Sequence, residues 1–165
     1  MLQGLAPLLN NDTRLIILGS FPSVRSLQSQ QYYAHPQNQL WKLIFTALLT
    51  DSPSIYCSSS YEIRSDKLRD LRIGLWDVYA SCEREGSLDS AITSAQLNDL
   101  ASLRQRCPQL RAIAHNGGES YRHAKHTKLL NLPVHQLPSS SPAHASWSFE
   151  RKLVVWRDVL TKSLN

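Results

Sequence analysis

Short apolar runs alternate with stretches of helical periodicity along this chain. Arg14 to Leu18 carries an uninterrupted apolar run and predicts a first strand. Leu40, Leu43, Ile44, Ala47 and Leu48 share one face of a helix over Gln39 to Leu49. Asp51 to Ser60 is Ser-rich and reads as a loop, and Tyr61 to Leu71 as a second helix. Gly74 to Tyr79 (GLWDVY) reads as a second strand. A helix is expected over Gln96 to Arg106, with Leu97, Leu100 and Leu103 in register and Pro108 beyond its end. Arg111 to His115 reads as a third strand, Gly118 to Lys128 as a helix opening after a Gly pair, and Pro133 to Leu137 as a fourth strand. Phe149, Leu153, Trp156 and Leu160 recur at helical spacing and mark a closing helix.

Strands separated by helices give a parallel sheet covered on both faces. The expected fold is therefore α/β: three layers, α/β/α, around a central four-stranded and mainly parallel sheet. Such sheets bind ligands at the carboxyl ends of their strands. The segment after each predicted strand is polar and marked by Gly or Pro. Gly19-Ser-Phe-Pro follows the first, Ser81 to Asp89 the second, Asn116-Gly-Gly the third, and Pro138-Ser-Ser-Ser-Pro-Ala-His144 the fourth. Four such loops meeting on one rim would form a site.

Composition narrows the class. The 165 residues are enough for one domain with a full core. No apolar run approaches the roughly 20 residues that span a bilayer. Met1 to Asn11 lacks the basic and apolar blocks of a secretory signal, so no membrane association is expected. Cys57, Cys82 and Cys107 lie far apart, in odd number and without a CxxC pair, which fits reduced thiols in a cytoplasmic protein. A formal net charge of +5 favours a polyanionic partner.

The most informative patch is Tyr32-Tyr-Ala-His-Pro-Gln-Asn-Gln-Leu-Trp41. Aromatic rings beside amides suit stacking on a flat ring and reading its edge. Asn38 stands where an N-cap would stand, and equally where an amide could orient a water. Asn116, at a strand end before two glycines, serves either a turn or the edge of an oxidised or deaminated base. The stiff, hydroxyl-rich Leu137 to His144 segment suits phosphate contacts or a rigid turn. Arg122 to Lys128 (RHAKHTK) reads as a solvated helix face or as further phosphate contacts. His123 and His126 lack a Cys or carboxylate partner in sequence, so no metal is expected. There is no GxSxG elbow, and GSFPS lacks the second and third glycines of a dinucleotide fingerprint.

Together, GSFPS, YYAHPQNQLW, HNGGES and LPSSSPAH resemble the motifs of the uracil-DNA glycosylase superfamily. The resemblance is to its hypoxanthine-DNA glycosylase (DNA-deoxyinosine glycosylase) branch, and it runs from about Leu15 to Trp156. GLWDV followed by CEREGSLDS points the same way. The mismatch-specific relatives have a catalytic Asn in a G-x-N-P motif, where this chain has Phe21. The hypoxanthine branch instead keeps its catalytic Asn in the YYAHPxN segment, which falls on Asn38. The resemblance further implies that Asn116 reads the everted base, that Asn116 is catalytic as well, donating with the backbone N–H groups of the Gly19 loop to the charge that develops on the leaving base, and that Ser139, Ser140, Ser141, Pro142, Ala143 and His144 contact DNA. Ala143 is small for a wedge, a role that passes to His144. Gly19, Ser20, Phe21, Pro22, Tyr33, His35 and His115 would line the base pocket, with Phe21 or Tyr33 stacking on the base.

The resemblance thus implies a single domain over 1–165 that acts on double-stranded DNA carrying a deaminated base, as a monomer and without a cofactor. No lysine lies in these motifs to form a Schiff base, so a monofunctional enzyme is expected. The rival readings are a uracil or thymine mismatch glycosylase, a non-catalytic altered-base binder, and a small-molecule hydrolase on the same scaffold.

Overall fold

A two-residue strand β1 (Leu2–Gln3) leads into β2 (Leu15–Gly19), all five residues of which are buried. A strand buried along its whole length belongs inside a parallel sheet covered on both faces. The computed structural model, which describes residues 1–49, 51 and 53–165, places it there. The remaining elements are α1 (Val24–Ser29), α2 (Leu40–Leu48), α3 (Pro53–Cys57), α4 (Tyr61–Asp70), β3 (Ile73–Asp77), β4 (Tyr79–Glu83), β5 (Thr93–Leu97), α5 (Leu103–Arg106), β6 (Ala112–Asn116), α6 (Gly118–Tyr121), α7 (Ala124–Thr127), β7 (Val134–Leu137) and α8 (Phe149–Leu164). The main sheet has the order β3-β2-β6-β7, and every pairing in it is parallel.

Alternation along β2 builds two cores. Leu15 and Ile17 pack with Leu40, Leu43 and Ile44 of α2, Leu68 of α4, and Trp156 and Leu160 of α8. Ile16 and Leu18 pack on the other side with Trp76, Leu100, Leu103 and Ile113. The result is the expected three-layer α/β/α arrangement around a four-stranded sheet. Trp156 is fully buried, and its indole N–H donates to Pro138 O at 2.9 Å. Packing and polar anchoring therefore meet in one side chain, and truncation to Ala would cost about 3–5 kcal/mol. Serines fix three helix starts: Ser23 for α1, Ser60 for α4 and Ser148 for α8 each accept a first-turn N–H.

The structure departs from the periodicity in several places. The run expected as one strand from Gly74 to Tyr79 divides at Val78. Its second half becomes β4, the centre of an antiparallel sheet β1-β4-β5 that the sequence reading did not anticipate. Ser81 to Glu83 is accordingly strand, and the loop begins only at Arg84. The helix expected over Gln96 to Arg106 starts late. Gln96 and Leu97 are in exposed β5, and helical turns run from Leu100 to Arg106. Cross-strand pairing with Tyr79 and Ser81 overrides the leucine spacing there. Gly118 to Lys128 breaks at His123 into α6 and α7. The Ser-rich segment expected as loop contains α3, while Ser52, like Thr50, lies outside the described residues. Among the described residues no helix is long and apolar enough to cross a membrane.

Candidate active site

The parallel register carries three chemically distinct residues to the same edge of the sheet. Gly19 of β2 pairs with Asp77 of β3, and Asn116 lies one residue beyond the Leu18–His115 pair of β2 and β6. The loops leaving this edge enclose a cleft of about 510 Å³. Gly19, Ser20, Phe21 and Pro22 line it from the loop after β2. Tyr33, His35 and Asn38 enter from the segment before α2, and Asn116 from the end of β6. Ser139 to His144 enter from the loop after β7. The expected convergence of loops is therefore present.

One predicted residue is elsewhere. His115 does not line the cleft and is fully buried beneath the sheet. Adjacent strand residues point to opposite faces, so His115 and Asn116 cannot both face the site. His115 Nδ1 lies 2.8 Å from Ser120 Oγ and Nε2 lies 2.8 Å from Thr127 Oγ1. Desolvation pushes its imidazole down to about 4, so it is a neutral structural group at physiological pH.

Asn116 is held at both ends of its amide. Its Oδ1 accepts the Ser140 N–H at 3.0 Å, and its Nδ2 donates to Ser140 Oγ at 2.9 Å and to Tyr33 Oη at 3.3 Å. An amide nitrogen has two hydrogens, so these partners use its donors. Asn116 thus ties the loop after β7 to the segment before α2. The next residue must be glycine: Gly117 has φ +95°, and a Cβ there would lie 3.1 Å from Ser139 Cβ.

Asn38 lies at the start of α2 and on the cleft. Its Oδ1 accepts the Leu40 N–H at 3.0 Å, an Asx turn that leads into α2, whose N-cap residue is Gln39. Neighbouring bonds fix it. Gln39 N–H donates to Ser140 O at 3.0 Å, and the buried Lys152 donates to Gln39 Oε1 at 3.1 Å. Upstream, Tyr32 is almost fully buried and its hydroxyl donates to Ala6 O at 2.9 Å. Ser26 Oγ accepts the Ala34 N–H at 3.1 Å. Between them Tyr33 has φ +52°, the left-handed region that a bulky side chain rarely adopts. The constraint turns its phenol into the cleft. His35 Nδ1 accepts the Gln37 N–H at 3.1 Å.

Sequence reasoning missed the acids. Asp77 is 5 % exposed, lines the cleft, and has an Oδ2 with no hydrogen-bond partner. Desolvation, aided by Asp89 and opposed by Arg84, pushes its carboxyl up to about 7. Asp89 accepts from Ser20 Oγ at 2.6 Å and also lines the cleft. Arg84 donates to Pro22 O at 2.6 Å and lies 5.3 Å from the centre of the Phe21 ring. Phe21 is 7 % exposed and belongs mainly to the second core. The register signal, Asp77 beside Gly19, was present in the sequence but was hidden in a run read as strand interior.

The loop after β7 exposes Pro142 and Ala143 at its tip. His144 lies behind them, half-buried, its ring 6.1 Å from that of Trp147 and its Nε2 without a partner. His123, of the expected pair with His126, has Nε2 2.8 Å from Tyr79 Oη, which donates to Glu119 at 2.7 Å.

The profile of the Uracil DNA glycosylase superfamily matches residues 6–160, which includes every loop of this cleft. The chain belongs to the uracil DNA glycosylase superfamily. Among its relatives is the "Hypoxanthine DNA glycosylase" of Methanosarcina acetivorans, 35% identical over 150 residues, 91% of this chain and 92% of that protein. A "Hypoxanthine DNA glycosylase" of Methanosarcina barkeri is 33% identical over 142 residues, 86% of this chain and 87% of that protein. A solution NMR structure of a candidate uracil DNA glycosylase from Methanosarcina acetivorans superposes with a TM-score of 0.87 at 34% identity, covering 99% of this chain and 98% of that one. The superfamily fold thus extends through the four-stranded sheet and its flanking helices.

Proposed function

We propose that this chain is a monofunctional DNA glycosylase that hydrolyses the N-glycosidic bond of a deaminated nucleotide in duplex DNA, with hypoxanthine as its preferred base. The observation that carries the reading is the cleft itself: Asn38, Tyr33 and Asn116 gathered at one sheet edge of a superfamily member whose relatives carry hypoxanthine in their names. A base inside a duplex is out of reach, so the enzyme everts the damaged nucleotide into the cleft, and a weakened pair opens at lower cost. Tyr33 and the exposed part of Phe21 offer the flat surfaces for the ring.

As the C1′–N bond lengthens, the sugar becomes oxocarbenium-like and the base takes up negative charge. A well-placed donor at that charge is worth about 3 kcal/mol. The Tyr33 hydroxyl and the backbone N–H groups of the Gly19 loop supply such donors. Asn38 holds the attacking water on the opposite face of the sugar. Its Oδ1 has two lone pairs and the Leu40 N–H occupies one. An amide is a weak base, so the gain comes from positioning. Asn116 anchors the loop after β7 and the Tyr33 phenol. Ser139, Ser141 and the exposed Pro142–Ala143 tip meet the DNA backbone and the gap left in the stack, with His144 behind them. The protein works as a cytoplasmic monomer and leaves an abasic site.

Uracil presents the same carbonyl and ring N–H edge and is the second reading. The test is a panel of duplexes with a single deoxyinosine, deoxyuridine or deoxyxanthosine, each opened with alkali after incubation. Inosine should give the fastest strand scission, and untreated strands should stay intact. No scission on any of them would overturn the reading.

A further inference from the structure

Two described side chains of the cleft keep a buried atom without a hydrogen-bond partner, His144 on the outer loop and Asp77 at the sheet edge. The Asn116 amide is spent on Ser140 and Tyr33, and the Asn38 carbonyl already accepts the Leu40 N–H. Asp77 is different. Its backbone is locked, since its carbonyl accepts from Asn98 Nδ2 at 2.8 Å and its strand pairs with β2. Its side chain is buried, lines the cleft, and leaves Oδ2 without a partner. Gly19 beside it has no side chain, and a Cβ there would lie 2.6 Å from Asp77 Oδ1 and 2.8 Å from Tyr33 Oη. The absent Cβ therefore lets a carboxyl and a phenol close over the Gly19 backbone, side by side at the wall of the cleft.

Deamination changes one ring atom in a way such a pair can read. Adenine has a lone pair at N1, and hypoxanthine has N1–H there beside a carbonyl. A carboxylate accepts hydrogen bonds and donates none. We propose that Asp77 contacts the everted base directly, accepting the ring N–H that deamination creates, while the Tyr33 hydroxyl donates to the neighbouring carbonyl. An undeaminated base would set its lone pair against the carboxylate and leave both buried groups unpaired, the arrangement that gives polar sites their strongest rejection. This inference rests on the glycosylase reading and names its specificity residue.

Asp77 must be ionised to accept. The groups that face it are Asp89, which holds its carboxyl up, Arg84, which opposes that, and the phenols of Tyr32 and Tyr33. On deoxyinosine, kcat/KM should rise between about pH 6 and 8 as the free enzyme loses this proton.

The experiment measures single-turnover base release from duplexes carrying deoxyinosine or deoxynebularine, whose purine has a bare N1 and no carbonyl. Asp77→Leu should slow release from deoxyinosine by roughly 10- to 100-fold, the equivalent of one charge-assisted hydrogen bond. Release from deoxynebularine should not slow and should rise where the lone pair no longer faces a carboxylate, so the preference collapses. Asp77→Asn keeps the size of the side chain and an accepting oxygen. Its amide can also donate to a bare N1, so the preference should narrow and the rise with pH should be lost, and this variant carries the test if the Leu variant melts early. Equal slowing on both substrates by Asp77→Leu, or an unaltered pH profile in Asp77→Asn, would overturn the assignment. A wild type that releases neither base would overturn the glycosylase reading and this inference with it. A wild type that releases hypoxanthine while the variants fail these expectations removes only the inference.

Discussion

Replacing Asn116 with Ala removes three bonds at once: the acceptor for Ser140 N–H and the donors to Ser140 Oγ and Tyr33 Oη. Ser140 is fully buried, so its N–H is left unpaired away from water. An orphaned buried donor costs about 1–3 kcal/mol. The hydroxyls of Ser140 and Tyr33 each lose one net hydrogen bond, about 0.5–1 kcal/mol apiece. The expected total is about 2–5 kcal/mol. At about 2–4 °C per kcal/mol for a chain of this size, the melting temperature should fall by about 4–20 °C. Ser140→Ala removes only the hydroxyl partner and should cost less, about 1–2 kcal/mol. Because both substitutions delete the same Nδ2 to Oγ bond, the double variant should fall short of the sum by about 0.5–1.5 kcal/mol. Urea melts of the four proteins in the cycle measure this. Wild-type stability in Asn116→Ala, or strict additivity, would mean that the amide does not lock the two loops together.

Two further outcomes are expected. Gly19→Ala puts a methyl group at 2.6 Å from Asp77 Oδ1 and 2.8 Å from Tyr33 Oη. Strain of about 1–3 kcal/mol should appear in a melt, and base release should drop more than tenfold because the Asp77 carboxyl and the Tyr33 phenol are pushed out of place. Between pH 4 and 7 two buried groups act in opposite directions. His115, depressed to about 4, stays neutral in the folded state while the unfolded chain takes up its proton, so stability is lost as pH falls below about 6.5. Asp77, raised to about 7, holds its proton in the folded state above the unfolded value, so its contribution is full at low pH and is lost as pH rises toward 7. Asp77→Asn deletes the second dependence. The variant should gain melting temperature relative to wild type from pH 5 to pH 8, and an unchanged difference across that window would refute the assigned shift.

The parallel sheet was legible because a run such as Leu15 to Leu18, apolar at every position, suits a strand with both faces covered. The rim was legible for a related reason: loops at the ends of such strands hold polar groups, and those of this chain are rich in Gly, Pro, Asn and Ser. The second sheet was not legible. Thr93 to Leu97 is exposed along its length, so no alternation marks it, and its strand character comes only from pairing with β4. His115 was misplaced because composition was read without strand parity. Asp77 was overlooked for the opposite reason: its parity was right, but GLWDVY read as a continuous strand, and only the break at Val78 makes Asp77 a terminus. Asn116 was found, yet the partners that occupy its amide, Tyr33 and Ser140, lie 83 and 24 residues away in sequence.

The account stands on hydrolysis organised by Asn38 in the cleft. The most direct measurement is the single-turnover rate of hypoxanthine release from a deoxyinosine duplex by Asn38→Ala, with duplex affinity and melting temperature measured on the same preparation. The account predicts a rate at least 100-fold below wild type, about 2.7 kcal/mol of transition-state stabilisation, with duplex affinity retained. Release at the wild-type rate would contradict it.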